Sequence, residues 1–234
     1  MTTLDPRRRQ LLHDMGVDVW ISKGITTEPG IEASEEVSPA PSPAATVADD
    51  WTSLQAAVRG CEACELHRSR SQTVFGVGNE AASLMIVGEA PGAEEDRRGE
   101  PFVGRAGQLL NSMLAALGFA REQVFIANIL KCRPPQNRDP RPEEAAACAS
   151  YLKRQIAHIR PTVILAVGRV AAQNLLSIDT PIGRMRGQDY VYADTNIPVI
   201  VTYHPAYLLR SPGEKRKVWV DLKRVRGLLQ ENSA

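Results

Sequence analysis

Leu84-Met85-Ile86-Val87-Gly88-Glu89-Ala90-Pro91-Gly92 is the stretch that decides the fold. Its apolar run has no polar alternation, so it reads as a strand covered on both faces, and Gly-Glu-Ala-Pro-Gly then supplies turn chemistry. Val124–Leu130, Thr162–Val167 and Ile197–Thr202 have the same character. Helical patterns separate these runs. Gly104–Leu117 places Leu109, Leu110, Met113, Leu114 and Leu117 at the spacing of one buried face. Pro142–Ile159 opens with proline and two glutamates, residues favoured at a helix start, and Val170–Leu176 and Glu214–Leu229 add two more helices. Strands alternating with helices predict an α/β fold, a three-layer α/β/α arrangement around a central four-stranded, mainly parallel sheet.

In such sheets ligands bind beyond the carboxyl ends of the strands. The polar motifs fall there: Gly88–Gly92 after the first strand, Asn128 at the end of the second, His204-Pro205 after the fourth. Packing alone does not require three polar motifs on one edge.

The rest of the chain sets bounds. With 234 residues, 43% hydrophobic and 24% charged, it is long enough for one sizeable core. A net charge of +1 says little about partners, because a basic face can be balanced elsewhere. The start MTTLDPRRRQLLHDMGVDVW has basic residues but no apolar signal region, and no run has the length of a membrane span, so a cytoplasmic protein is expected. Residues 1–28 carry Leu4, Leu11, Leu12 and Met15 at helical spacing, and residues 29–50 are rich in Pro, Ala, Ser and acids. That composition has little to bury and predicts a flexible linker. Folded sequence resumes at Trp51 with a helix through Arg59, giving a domain over residues 51–234.

Cys61 and Cys64 form C-x2-C; Cys132 follows the second strand, and Cys148 lies on the next helix. Two thiolates at that spacing reach one metal from a single turn, and a four-cysteine set suits either zinc or a [4Fe–4S] cluster. Unrelated core cysteines are the competing reading.

Three segments then carry a family resemblance: GEAPGAEEDRRGEPFVGRAGQLL (Gly88–Leu110), NILKCRPPQNRDPRPEE (Asn128–Glu144) and TYHPAYLLR (Thr202–Arg210). In this order, behind C-x2-C, they resemble the motifs of family 4 uracil-DNA glycosylases, and the likeness covers most of Trp51 to Leu229. It implies a DNA-repair enzyme that flips uracil out of single- or double-stranded DNA and hydrolyses its N-glycosidic bond. It also implies a [4Fe–4S] cluster on Cys61, Cys64, Cys132 and Cys148. Asn111 departs from the pattern, standing where relatives often have an acid. A sister group that traps uracil covalently has a basic insertion with an extra histidine before its His-Pro motif. No such insertion precedes His204 here, so turnover is expected.

The chemistry assigns each residue a task. An extruded base loses its stacking, and Phe102 is the candidate floor, a core phenylalanine being the alternative. Asn128 offers a carboxamide that donates to O4 of uracil and accepts from N3–H, a pairing that cytosine reverses. An asparagine that merely satisfies backbone is the competing reading. Bond cleavage builds negative charge on the leaving base, and His204 is the candidate donor to O2; His13, His67 and His158 are read as structural. Glu89 offers a carboxylate for water or for the sugar cation, and the resemblance places uracil against Glu89, Ala90 and Pro91. Glu95 and Asn137 are secondary candidates, with a solvated acidic loop an equal reading for Glu94, Glu95 and Asp96. Arg184, Arg186 and Arg210 are candidate phosphate contacts, and Leu208 or Leu209 a wedge for the vacated stack.

Residues 1–28 faintly resemble the opening of the psi subunit of bacterial replication clamp loaders, which implies a docking segment; a helix packed on the chain's own domain is the alternative. The protein is expected to act as a monomer. An electron-transfer iron–sulfur protein explains the cysteines but not Phe102, Asn128 and His204. A catalytically weak, replication-associated DNA-binding accessory explains only the amino-terminal segment.

Overall fold

The structure is a computed structural model that describes residues 50–193 and 195–232. The docking segment 1–28 and the linker 29–50 read above lie outside the described residues, except for Asp50. The chain enters the fold through α1 (Trp51–Arg59) and forms six strands: β1 (Val77–Gly78), β2 (Leu84–Gly88), β3 (Phe125–Asn128), β4 (Val163–Val167), β5 (Tyr190–Val191) and β6 (Pro198–Thr202). Seven further helices follow: α2 (Ala93–Arg98), α3 (Arg105–Leu117), α4 (Pro142–Ile159), α5 (Arg169–Leu176), α6 (Ile182–Met185), α7 (Pro205–Arg210) and α8 (Lys215–Glu231).

The sheet order is β1-β3-β2-β4-β6-β5. The four strands expected from the apolar runs are its parallel centre, with Ile86 opposite both Ile126 and Leu165, and Leu165 opposite Ile200. The expected strand count is corrected from four to six, because β1 and β5 each add a two-residue antiparallel edge. Pairs that short leave no apolar run to read.

Alternate side chains of each strand enter opposite layers. Met85, Val87, Ala127, Ile164, Ala166 and Val201 face α1, α4 and α5, whereas Leu84, Ile86, Ile126, Val163, Leu165 and Ile200 face α3, α7 and α8. This is the three-layer α/β/α core. The crossover from β2 leads outward to β3, and the crossover from β3 returns over β2 to β4. The strand order therefore reverses beside β2, and the crevice at such a point is the usual ligand position.

Among the described residues no helix is long and apolar enough to cross a membrane.

Candidate active site

A cleft of about 460 Å³ opens at the carboxyl ends of β2, β3 and β6, lined by Glu89 to Gly92, Phe102, Asn128, His204 and Arg210 among others. Every base-handling residue read from the sequence is in this wall, and so are Glu95 and Asn137. Pro134, Arg138 and Ala206 also contribute; they fall within the motif segments but were given no task there.

Asn128 is the last residue of β3, opposite Gly88 of β2. Its side chain is buried, and Oδ1 has no hydrogen-bond partner. A buried acceptor left open costs roughly 1–3 kcal/mol, so the position is expensive unless a ligand repays it. Gly88 makes room for it: a Cβ there would stand 2.4 Å from Asn128 Oδ1 and 2.7 Å from the Phe102 ring.

Phe102 adopts a left-handed backbone, φ 53°, which costs a non-glycine residue energy that its surroundings must cover. Three groups hold it. Arg121 donates to the carbonyls of Pro101 (2.5 Å) and Phe102 (3.4 Å). Glu95 Oε1 accepts from the N–H groups of Val103 (3.0 Å) and Gly104 (3.2 Å). Gly107, on the first turn of α3, lets the Phe102 carbonyl approach so closely that a Cβ there would lie 1.7 Å from its oxygen. Asn111 joins this set by accepting from Arg121 at 3.1 Å, so the departure from the family pattern falls on the brace of the loop. The acidic segment 94–96 is helical rather than a solvated loop: Glu95 holds the Phe102 loop, Asp96 is buried and accepts from Ser71 N–H, and only Glu94 makes a surface pair, with Arg97.

His204 caps α7: its Nδ1 accepts from Ala206 N–H at 3.1 Å. With Nδ1 an acceptor, the neutral ring carries its proton on Nε2. Burial and the neighbouring Arg210 push the imidazole down to about 4, despite an opposing pull from Glu95. It is therefore a neutral donor at physiological pH. Glu89 moves the other way, raised to about 7 by burial and by Asp139, with Arg169 opposing. Asp139 and Arg169 pair at 2.5 Å beside it, a neighbourhood no sequence motif announced.

The four DNA-contact candidates separate. Arg210 is exposed and lines the cleft; Arg184 is exposed on α6, outside the cleft wall. The phosphate-contact expectation for Arg186 is corrected by its partners: it binds both carboxylate oxygens of buried Asp221 (2.8 and 2.9 Å) and lies over the Tyr203 ring at 4.4 Å. The wedge expectation for Leu208 is corrected likewise, because the helix α7 turns it into the core at 1% exposure while Leu209 stays at 37%. Asn137 Oδ1 is taken by Arg133 Nε at 2.7 Å.

Cys61, Cys64, Cys132 and Cys148 line one cavity with Leu66, Leu130 and Tyr151, although Cys61 and Cys148 stand far apart in the chain. Arg70 donates to Cys132 Sγ at 3.0 Å, and Lys131 N–H to Cys148 Sγ at 3.3 Å. Both contacts favour the thiolate, but burial outweighs them and pushes the two thiols up, Cys148 to about 11. Among the described residues no three His, Cys, Asp or Glu groups close on a single ion. The four thiols share one cavity, and a four-thiolate set suits either zinc or an iron–sulfur cluster.

The model of the uracil DNA glycosylase superfamily matches residues 75–223. The chain is 48% identical over 174 residues to a type-4 uracil-DNA glycosylase of Archaeoglobus fulgidus, covering 72% of this chain and 87% of the relative. It is 42% identical to the type-4 enzymes of Sulfurisphaera tokodaii (77% and 85% covered) and Pyrobaculum aerophilum (74% and 91%). The cleft, its polar lining and these matches agree: the chain belongs to the uracil-DNA glycosylase superfamily, within its type-4 family.

Proposed function

We propose that the chain extrudes uracil from DNA and hydrolyses its N-glycosidic bond, releasing free uracil and leaving an abasic site for base-excision repair. The observation that carries this reading is the open Oδ1 of Asn128 at the cleft wall. Uracil N3–H completes it while Nδ2 donates to O4; cytosine presents a bare N3 to the oxygen and an amino group to the donor, leaving both unpaired.

As the C1′–N1 bond breaks, the electron pair leaves with uracil. The Nε2–H of His204 stabilises the anion developing on O2 without giving up its proton, since the ring is neutral beforehand. Glu89, ionised above about pH 7, faces the sugar cation and orients the water whose oxygen bonds to C1′; the proton that water loses passes to solvent, from which the uracil anion is protonated. Phe102 supplies apolar contact in place of lost stacking. Arg210 and Arg184 contact phosphate, and Leu209 is the residue at the wedge position.

The four cysteines hold a [4Fe–4S] cluster in this reading, supported by the shared cavity and the donors aimed at sulfur. When bound it supplies a rigid tie between the Cys61–Cys64 segment and the loop after β3; hydrolysis itself transfers no electron. Residues 1–28 remain proposed as a docking segment for the replication clamp loader, with 29–50 as tether. Equal loader binding by full-length chain and by a chain lacking residues 1–50 sinks that part.

A uracil-containing oligonucleotide, scored for alkali-labile abasic sites, tests the main reading. Cleavage is expected for the wild type and a large loss for His204→Ala; no cleavage of single- or double-stranded substrate by the loaded wild type overturns it.

A further inference from the structure

Lys131 is fully buried, outside the cleft wall, and lines the cysteine cavity beside Cys132. Its ammonium donates to the Asn128 carbonyl at 2.8 Å and to Gln155 Oε1 at 2.7 Å. Gln155 Nε2 in turn donates to the Phe75 carbonyl at 2.9 Å. The backbone N–H of the same lysine reaches Cys148 Sγ. Cys148 and Gln155 both lie on α4, seven residues apart, which is close to two turns and puts them on one face. One lysine is therefore bonded at both ends to a single helix, and through its ammonium to the residue that presents the open carboxamide.

The intervening chain has little other freedom. Ile129 N–H donates to the Gly88 carbonyl (2.9 Å) and Leu130 N–H to that of Glu89 (3.0 Å), so segment 128–131 also fixes the turn after β2. A buried ammonium is costly to keep, and apolar filling of that space is ordinarily at least as stable. What the lysine adds is direction: charge-assisted bonds that set the peptide of Asn128.

We propose that Lys131 is a positioning residue for uracil selection, its ammonium fixing the Asn128 peptide so that the carboxamide meets the base, and its backbone tying that peptide to the helix of Cys148. This rests on the reading of the cleft as a uracil site.

The test is a double-mutant cycle in single-turnover excision from a uracil-containing duplex, with the folded fraction measured by circular dichroism and iron content by assay. Lys131→Met is expected to slow excision per folded molecule about 10-fold or more, with affinity for uracil-free duplex held within about 2-fold. In an Asn128→Ala background the same change is expected to cost less than about 2-fold, because both act through one group. Gln155→Leu removes the second partner while keeping the lysine, and is expected to slow excision about 3-fold or more, so it decides the matter if Lys131→Met does not fold. Full additivity with Asn128→Ala, or unchanged excision per folded molecule, overturns the inference. Failure of the wild type to excise uracil overturns the underlying reading instead.

Discussion

The rings of Phe102 and His204 stack with centroids 5.6 Å apart and planes inclined by 29°, joining the loop before α3 to the cap of α7. At that separation the two rings touch, which leaves the open part of the cleft beside Asn128 as the space for a base in the proposed reading. Phe102 and His204 thus brace one another. Gly168, with a positive φ, permits this: a Cβ there would come within 3.2 Å of His204 Cβ.

The Phe102 loop tolerates nothing larger at Gly107. Gly107→Ala is expected to destabilise the fold by about 2 kcal/mol or more and to lower excision, because the methyl collides with a carbonyl already held by Arg121. Gly227→Ala, on α8 with nothing near its Cβ position, is the control; thermal melting that ranks the two equally contradicts this.

Glu89 links activity to stability in opposite directions. Between about pH 4.5 and 7 the folded chain binds a proton at Glu89 that the unfolded chain has released, so this group's contribution to stability falls as pH rises through about 7. Glu89→Gln is expected to raise stability at pH 8 by about 1–3 kcal/mol, while abolishing the rise of the excision rate through pH 7. Denaturant titrations at pH 5 and 8 and a rate–pH profile check both halves.

His204 stays neutral down to about pH 4, so its Nε2 proton is expected to persist across the working range and to be visible as a single tautomer by 15N NMR. His204→Ala is expected to cost about 10²–10³ in rate, the usual loss for one oxyanion donor. Its lowered value also means that the unfolded chain takes up a proton between about pH 6.5 and 4 that the folded chain refuses, so stability from this group is lost as pH falls through that window.

The arginines separate by salt. Arg210→Ala is expected to reduce the slope of log affinity against log salt by about one, with the fold intact. Arg186→Ala is expected to leave buried Asp221 unpaired and cost about 3–5 kcal/mol of stability. Equal melting temperatures for the two variants contradict this division.

The parallel centre of the sheet and the positions of Glu89, Asn128 and His204 were legible because buried strands are continuous apolar runs and strand ends are ligand edges; Phe102, in a loop, was legible through the family motif. The same logic fails at β1 and β5, where tertiary pairing alone makes the strand, and at Leu208, whose six-residue helix is too short to show a period. Arg186 reads as a surface cation until Asp221, 35 residues later, is seen beside it. Asp139, Arg169 and Lys131 matter through neighbours that folding supplies.

The central claim concerns which base the cleft accepts. Single-turnover excision should be measured on two duplexes identical except for uracil or cytosine opposite one guanine, with wild type and Asn128→Ala. The account predicts that the wild type releases uracil and leaves cytosine untouched, and that Asn128→Ala loses most of the uracil rate. A wild type that treats the two duplexes alike, or an Asn128→Ala variant as fast and as selective as the wild type, contradicts it.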